Sequence, residues 1–120
     1  MSNLIPNESE FILYTTTNGE LRLDVLVLDE TIWLTQDGMQ ELFGKAKSTI
    51  SEHIKNVFDE GELERDPTVR KFRTVQTEGQ REVSRDLEYY NLDVIISVGY
   101  RVKSPRGTQF RIWATQVLKE

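Results

Sequence analysis

Leu21, Leu23, Val25 and Val27 alternate with Arg22 and Asp24, the two-residue period of a strand with one face buried. Leu26 and Leu28 break the alternation and predict that the far end of this strand is covered on both faces. Upstream, FILYTT supplies a partner strand. Asn18-Gly19 supplies the turn, because both residues tolerate the positive φ that a type I′ hairpin demands. Asp29-Glu30 marks a second turn, and residues 31–34, carrying Trp33, form a short third strand.

The period then changes to that of helices. In TQDGMQELFGKAKSTISEHIKNVF, Thr35 is placed to cap a helix that runs to about Phe43, with Asp37 in its first turn and Met39, Leu42 and Phe43 on its buried stripe. Gly44 stops it. Ser48 then caps a second helix, whose Ile50, Ile54, Val57 and Phe58 share one face and which frays by Glu60-Gly61. Beyond Pro67, KFRTVQTEGQREVSRDLEYYN reads as a second hairpin turning at Glu78-Gly79. A register with Gln76 opposite Arg81 and Lys71 opposite Asp86 gathers Phe72, Val83 and Leu87 on one face. Asn91 caps a helix dense in apolar residues, Leu92 to Val98. SPRG at 104–107 reads as a loop, and Thr108 opens a last helix bearing Phe110, Trp113, Val117 and Leu118. That stripe is unfinished at Lys119-Glu120, so the chain is expected to be part of something longer. The elements predict an α+β fold of winged helix-turn-helix type, with an N-terminal β-hairpin and a C-terminal hairpin-helix-helix part. Residues 1–66 and 67–120 are expected to share one core.

Composition narrows the chemistry. The 120 residues lack Cys and hold a single His, His53, which removes thiolate and His-based metal sites from consideration. The start, MSNLIPNESE, lacks a basic and apolar leader, and no apolar run approaches the roughly 20 residues that cross a bilayer. A cytoplasmic location is therefore expected. The net charge is −5, yet it is unevenly spread: residues 1–64 hold 4 Lys+Arg against 13 Asp+Glu, and residues 65–120 hold 11 against 7. No nucleophile elbow, phosphate-cradling loop or acidic pair suggests an enzyme, a cofactor or a small-molecule substrate. Tyr89 and Tyr90 read as packing residues closing a strand.

Two short helices around a Gly, the second opened by Ser-Thr, have the layout that places a helix in the major groove of duplex DNA. With Ile54 inward, Thr49, Glu52 and Asn56 face outward, flanked by Ser48, His53 and Lys55, with Lys45 and Lys47 just ahead of the helix. Ser51 falls toward the inward edge. Phosphate contacts are expected from Arg70, Lys71, Arg73 and Arg81 of the basic hairpin, and from Arg101, Lys103, Arg106 and Arg111 around the SPRG loop. The same residues admit a plainer reading, as packing helices and solvated ion pairs, and Glu52 at the centre of the reading face opposes phosphate.

The runs YYNLDVIISVGYRV and SPRGTQFRIWAT, with the preceding WLTQDGMQELFGKAKSTISEHIKNVF, resemble the N-terminal region of the RhuM virulence-protein family, from about Ile12 onward. The final segment is also similar to phage antirepressor N-terminal domains. The resemblance implies a DNA-binding or regulatory module of a genomic-island or prophage-derived protein. Duplex DNA is the expected partner, with a homodimer to supply a second half-site. The alternative is a protein-interaction or oligomerisation module of antirepressor type that does not touch DNA.

Overall fold

The computed structural model describes residues 10–16 and 18–119. Residues 1–9, on which the leader argument partly rests, and Glu120 lie outside them. Five strands form one antiparallel sheet: β1 (Glu10–Thr15), β2 (Arg22–Leu28), β3 (Thr31–Thr35), β4 (Val69–Glu78) and β5 (Arg81–Asn91), in the order β1-β2-β3-β5-β4. The helices are α1 (Gln36–Phe43), α2 (Lys47–Asp59), the single turn α3 (Arg65–Thr68), α4 (Leu92–Arg101) and α5 (Pro105–Lys119).

Side-chain alternation divides the sheet residues into two clusters. Leu23, Val25, Ile32, Leu34 and Tyr90 turn to one face and pack with Met39, Leu42, Ile50, Ile54, Val94, Ile95, Val98 and Phe110 of the helices. Leu26, Leu28, Trp33, Phe72 and Tyr89 turn to the other and form a smaller cluster. The expected double coverage of β2 is thus met by Trp33, whose indole N–H donates to the Leu28 carbonyl at 3.0 Å. Tyr89 and Tyr90 fall on opposite faces and are buried one in each cluster.

The α+β content holds, but the winged helix-turn-helix expectation does not. Three strands lead the chain, and the C-terminal hairpin joins their sheet through Leu34↔Tyr90 instead of standing beside α2 as a wing. Periodicity along one segment cannot say which distant strand it will pair with, so a sheet-dominated arrangement was hidden in hairpins that looked separate.

Local chemistry accounts for the helix ends. The Thr35 hydroxyl accepts from the Gly38 N–H at 3.1 Å, and Asn91 Oδ1 accepts from the Val94 N–H at 3.3 Å. Gly44 ends α1 in the left-handed region, φ 63°. Three boundaries differ from expectation. Ser48 lies inside α2, which starts at Lys47 after Ala46 and has no side-chain cap. The SPRG segment is mostly helical: Ser104 Oγ accepts from the Arg106 N–H at 3.2 Å, and Pro105 takes the first helical position, where its missing N–H costs nothing. The β4–β5 loop is Gly79 and Gln80, so Glu78 faces Arg81 and Lys71 faces Glu88, two residues from the expected register. A shift of two preserves faces, and Phe72, Val83 and Leu87 still lie on one side.

The first two turns use positive φ. Gly19 takes positive φ in the β1–β2 turn, and Asp29 (φ 54°) and Glu30 (φ 61°) both take it in the turn that closes β2–β3. At the other end of the core, a Cβ on Gly99 would lie 3.0 Å from the Phe43 ring and 3.3 Å from the Gly107 Cα, so α4 and α5 cross at their glycines.

Candidate nucleic-acid interface

In α2, Ile50, Ile54 and Val57 are buried, so the inward direction is their centroid and not Ile54 alone. Ser48, Ser51, Glu52, Lys55 and Asp59 are exposed, and Thr49, His53 and Asn56 are half-buried. Ser51 therefore joins the outward surface, while Thr49 and Asn56 occupy its flank. The centroid of the apolar positions carried this signal in the sequence.

The cations named from the sequence divide into two groups. Arg70 pairs with Asp29 and sits over the Trp33 ring at 5.0 Å, and Arg73 Nε donates to Asp86 at 3.1 Å. Lys55 pairs with Asp59 one turn on, a contact that raises its pKa. Arg101 reaches Glu60 at 3.0 Å and Glu62 at 2.8 Å, tying α4 to the segment after α2. Arg65 and Arg85 are likewise paired, with Glu88 and Glu78. Lys45, Lys47, Lys71, Arg81, Lys103, Arg106 and Arg111 have no carboxylate partner among the described residues. Arg106 instead donates to the Leu42 carbonyl at 3.3 Å, at the C-terminal end of α1.

The free cations do not form one surface. Lys47 and Lys71 line the same recess of about 330 Å³, between the first residues of α1 and α2 and the base of the β4–β5 hairpin. Asp37, Asp86 and Glu88 line it too. Lys103 and Arg111 line a separate groove between α4 and α5 beside the 86% exposed Tyr100, and Arg106 faces the β1–β2 loop at Asn18. Free amides at the uncapped start of α2, with Lys45 and Lys47 beside them, can hold a phosphate oxygen by hydrogen bond and charge together.

Among the described residues no group of three or more His, Cys, Asp or Glu could hold a metal ion, and no helix is long and apolar enough to cross a membrane. Residues 67–120, the segment from Pro67 through β4, β5, α4 and α5, match the model of the virulence protein RhuM family. The family resemblance seen in the sequence is thus shown over this segment. No curated protein and no solved structure matches the chain.

Proposed function

We propose that this chain is a duplex-DNA-binding module of regulatory type, laying α2 along the major groove with Ser48, Ser51, Glu52 and Lys55 toward the base edges. Lys45, Lys47 and Lys71 are assigned to phosphates on either side. The observation that carries this reading is the coincidence, at one end of α2, of an uncapped helix start with three cations that form no ion pair among the described residues. Short hydroxyl side chains and a lysine on the adjoining surface suit base-edge hydrogen bonding, and Glu52 suits a cytosine amino group. A second copy would supply the second half-site that sharp specificity usually requires.

The test is fluorescence anisotropy of a labelled random duplex as a function of salt. Affinity is expected to fall about 40-fold between 50 and 200 mM salt, with three phosphate contacts contributing a slope of about −2.7. Lys47→Glu with Lys71→Glu should lower the magnitude of that slope by about 2 and leave the fold intact. Binding that is absent at low salt, or indifferent to salt, defeats the reading.

One observation favours the rival reading, a protein-interaction module. Asp37, Asp86 and Glu88 share the recess of Lys47 and Lys71, and the other hairpin arginines except Arg81 are held in ion pairs. Such a mixed surface suits a partner protein with complementary charges better than a uniformly anionic backbone. Concentration-dependent self-association without any duplex binding would decide for it.

A further inference from the structure

The sheet contains a lane with no strand in it. At Trp33, β3 lies between two neighbours, facing Leu26 of β2 and Asn91 of β5. After Thr35 the chain leaves the sheet for α1. Yet β2 continues out to Arg22 and β5 back to Arg81, and over those stretches each pairs only on its far side, with β1 and β4. A recess of about 810 Å³ occupies the gap. It passes through the plane of the sheet: Phe11, Leu87 and Tyr89 line it from the face of the Trp33 cluster, and Asp37, Gly38 and Glu41 of α1 line it from the opposite face.

Both walls carry unused backbone. In a hairpin closed by a two-residue loop, the pair next to the loop exchanges both hydrogen bonds, and bonding alternates from there. Glu78↔Arg81 closes β4–β5, so the N–H and C=O groups of Glu82, Ser84 and Asp86, and the N–H of Glu88, point away from β4 and into the lane. Tyr90, next in that series, is the residue that Leu34 of β3 takes up, which fixes the direction. An open edge of this kind is a template for an added strand. The lining also selects side chains. Asp37 and Glu41 have no cationic partner among the described residues: Arg73, which lines the same recess, is held by Asp86, and Lys47 and Lys71 share the neighbouring recess with Asp37 without pairing with it. On the other face Phe11, 52% exposed, and Leu87 give the mouth an apolar patch, bordered by Arg22 and Asp24 of β2.

We propose that this lane binds an extended peptide that alternates apolar and basic residues. The peptide adds as a strand between β2 and β5, with its apolar side chains over Phe11 and Leu87 and its basic ones toward Asp37 and Glu41. Successive side chains of a strand fall on opposite faces, so one alternating sequence satisfies both linings at once. This binding is independent of the DNA contacts proposed for α2.

The test titrates the intact chain with a short synthetic peptide alternating Val and Lys, read by amide hydrogen exchange and by anisotropy of the labelled peptide. The amides of Ser84, Asp86 and Glu88 should become protected, and those of Arg85 and Leu87, already bonded to β4, should not change. Ser84→Pro removes one lane-facing N–H without taking a bond from the β4–β5 ladder, and should weaken binding about tenfold. Should proline disturb the hairpin, the variant carrying Asp37→Lys and Glu41→Lys gives a second readout: it should prefer a Val/Glu peptide over the Val/Lys one. The proposal is overturned by no binding, by equal binding of Val/Glu and Val/Lys peptides to the unmodified chain, or by protection on the outer edge of β4 at Lys71 and Arg73. Lane protection that appears with rising protein concentration and no peptide would also overturn it, assigning the lane to a second copy.

Discussion

Glu30 holds a backbone conformation that its side chain disfavours. At φ 61° it sits in the left-handed region, which costs a residue with a Cβ about 1–2 kcal/mol. Its neighbour Asp29 shares that geometry but is engaged by Arg70, whose guanidinium also covers Trp33. The sequence Asp-Gly is the preferred form of this turn. Glu30→Gly should therefore stabilise the chain by about 0.5–1 kcal/mol, after the extra backbone entropy that glycine loses on folding. A urea titration reads this as a higher midpoint at unchanged slope, and an unchanged or lower midpoint would mean that the turn is not strained at Glu30. The same scale limits what the sequence could say of the interface. Arg70 and Lys71 are adjacent and both basic, yet strand alternation turns one to Asp29 and the other to the recess of Lys47. Which cation is free depends on carboxylates about 15 to 41 positions away, and composition does not carry that information.

Elements whose ends carry their own chemistry were legible. Thr35, Gly44 and Asn91 each form a local hydrogen bond or dihedral that acts within a few residues, and α1 and α4 begin where these residues place them. The start of α5 was written equally plainly, as Ser followed by Pro, but the Gly that follows suggested a loop. In the structure Gly107 is instead the close-approach point against Gly99. Contacts between elements were not legible. Arg101 reads as a phosphate ligand on a basic loop, and its side chain, only 19% exposed, bridges Glu60 and Glu62 across the α2–α4 contact. The Ser97 hydroxyl and the Arg101 guanidinium both hold the Glu62 carboxyl below its ordinary pKa. A carboxyl depressed in the folded state contributes stability that is complete above the unfolded value and is lost as pH falls through the folded one. Stability should thus decline on acidification below the ordinary glutamate range, and Glu62→Gln should flatten part of that decline. Urea midpoints followed from neutral pH to about pH 3 check it. Equal acid sensitivity of the two proteins would remove Glu62 from the account.

At the scale of the molecule, two hairpins meet at one short strand. Only β3 touches both, pairing with β2 over Leu26 to Leu28 and with β5 over Tyr89 to Asn91. Leu34 and Tyr90, partners across that junction, are both buried in the main core with the helices. Alternation within each hairpin was readable because it is local, but their fusion into one sheet is a long-range choice made by the shared core, and it also leaves the vacant lane. The consequence is uneven stability. Beyond Phe72 and Leu87 the β4–β5 arm has few buried side chains: Val75 is 57% exposed, and Ser84 and Arg85 are also exposed. Its ladder is closed by exposed ion pairs, Arg73 with Asp86 and Arg85 with Glu78, which contribute little. Regions with few buried apolar contacts open before the whole chain unfolds. Native-state hydrogen exchange should give the ladder amides of Val83 and Arg85 opening free energies of about 2–4 kcal/mol, against about 5 kcal/mol or more for β3 and α4. If the arm instead exchanged only with global unfolding, something in addition to its own ladder would have to hold it. An occupied lane is one such thing, because a strand bonded to Ser84, Asp86 and Glu88 would couple the arm to β2 and raise its protection toward that of the core.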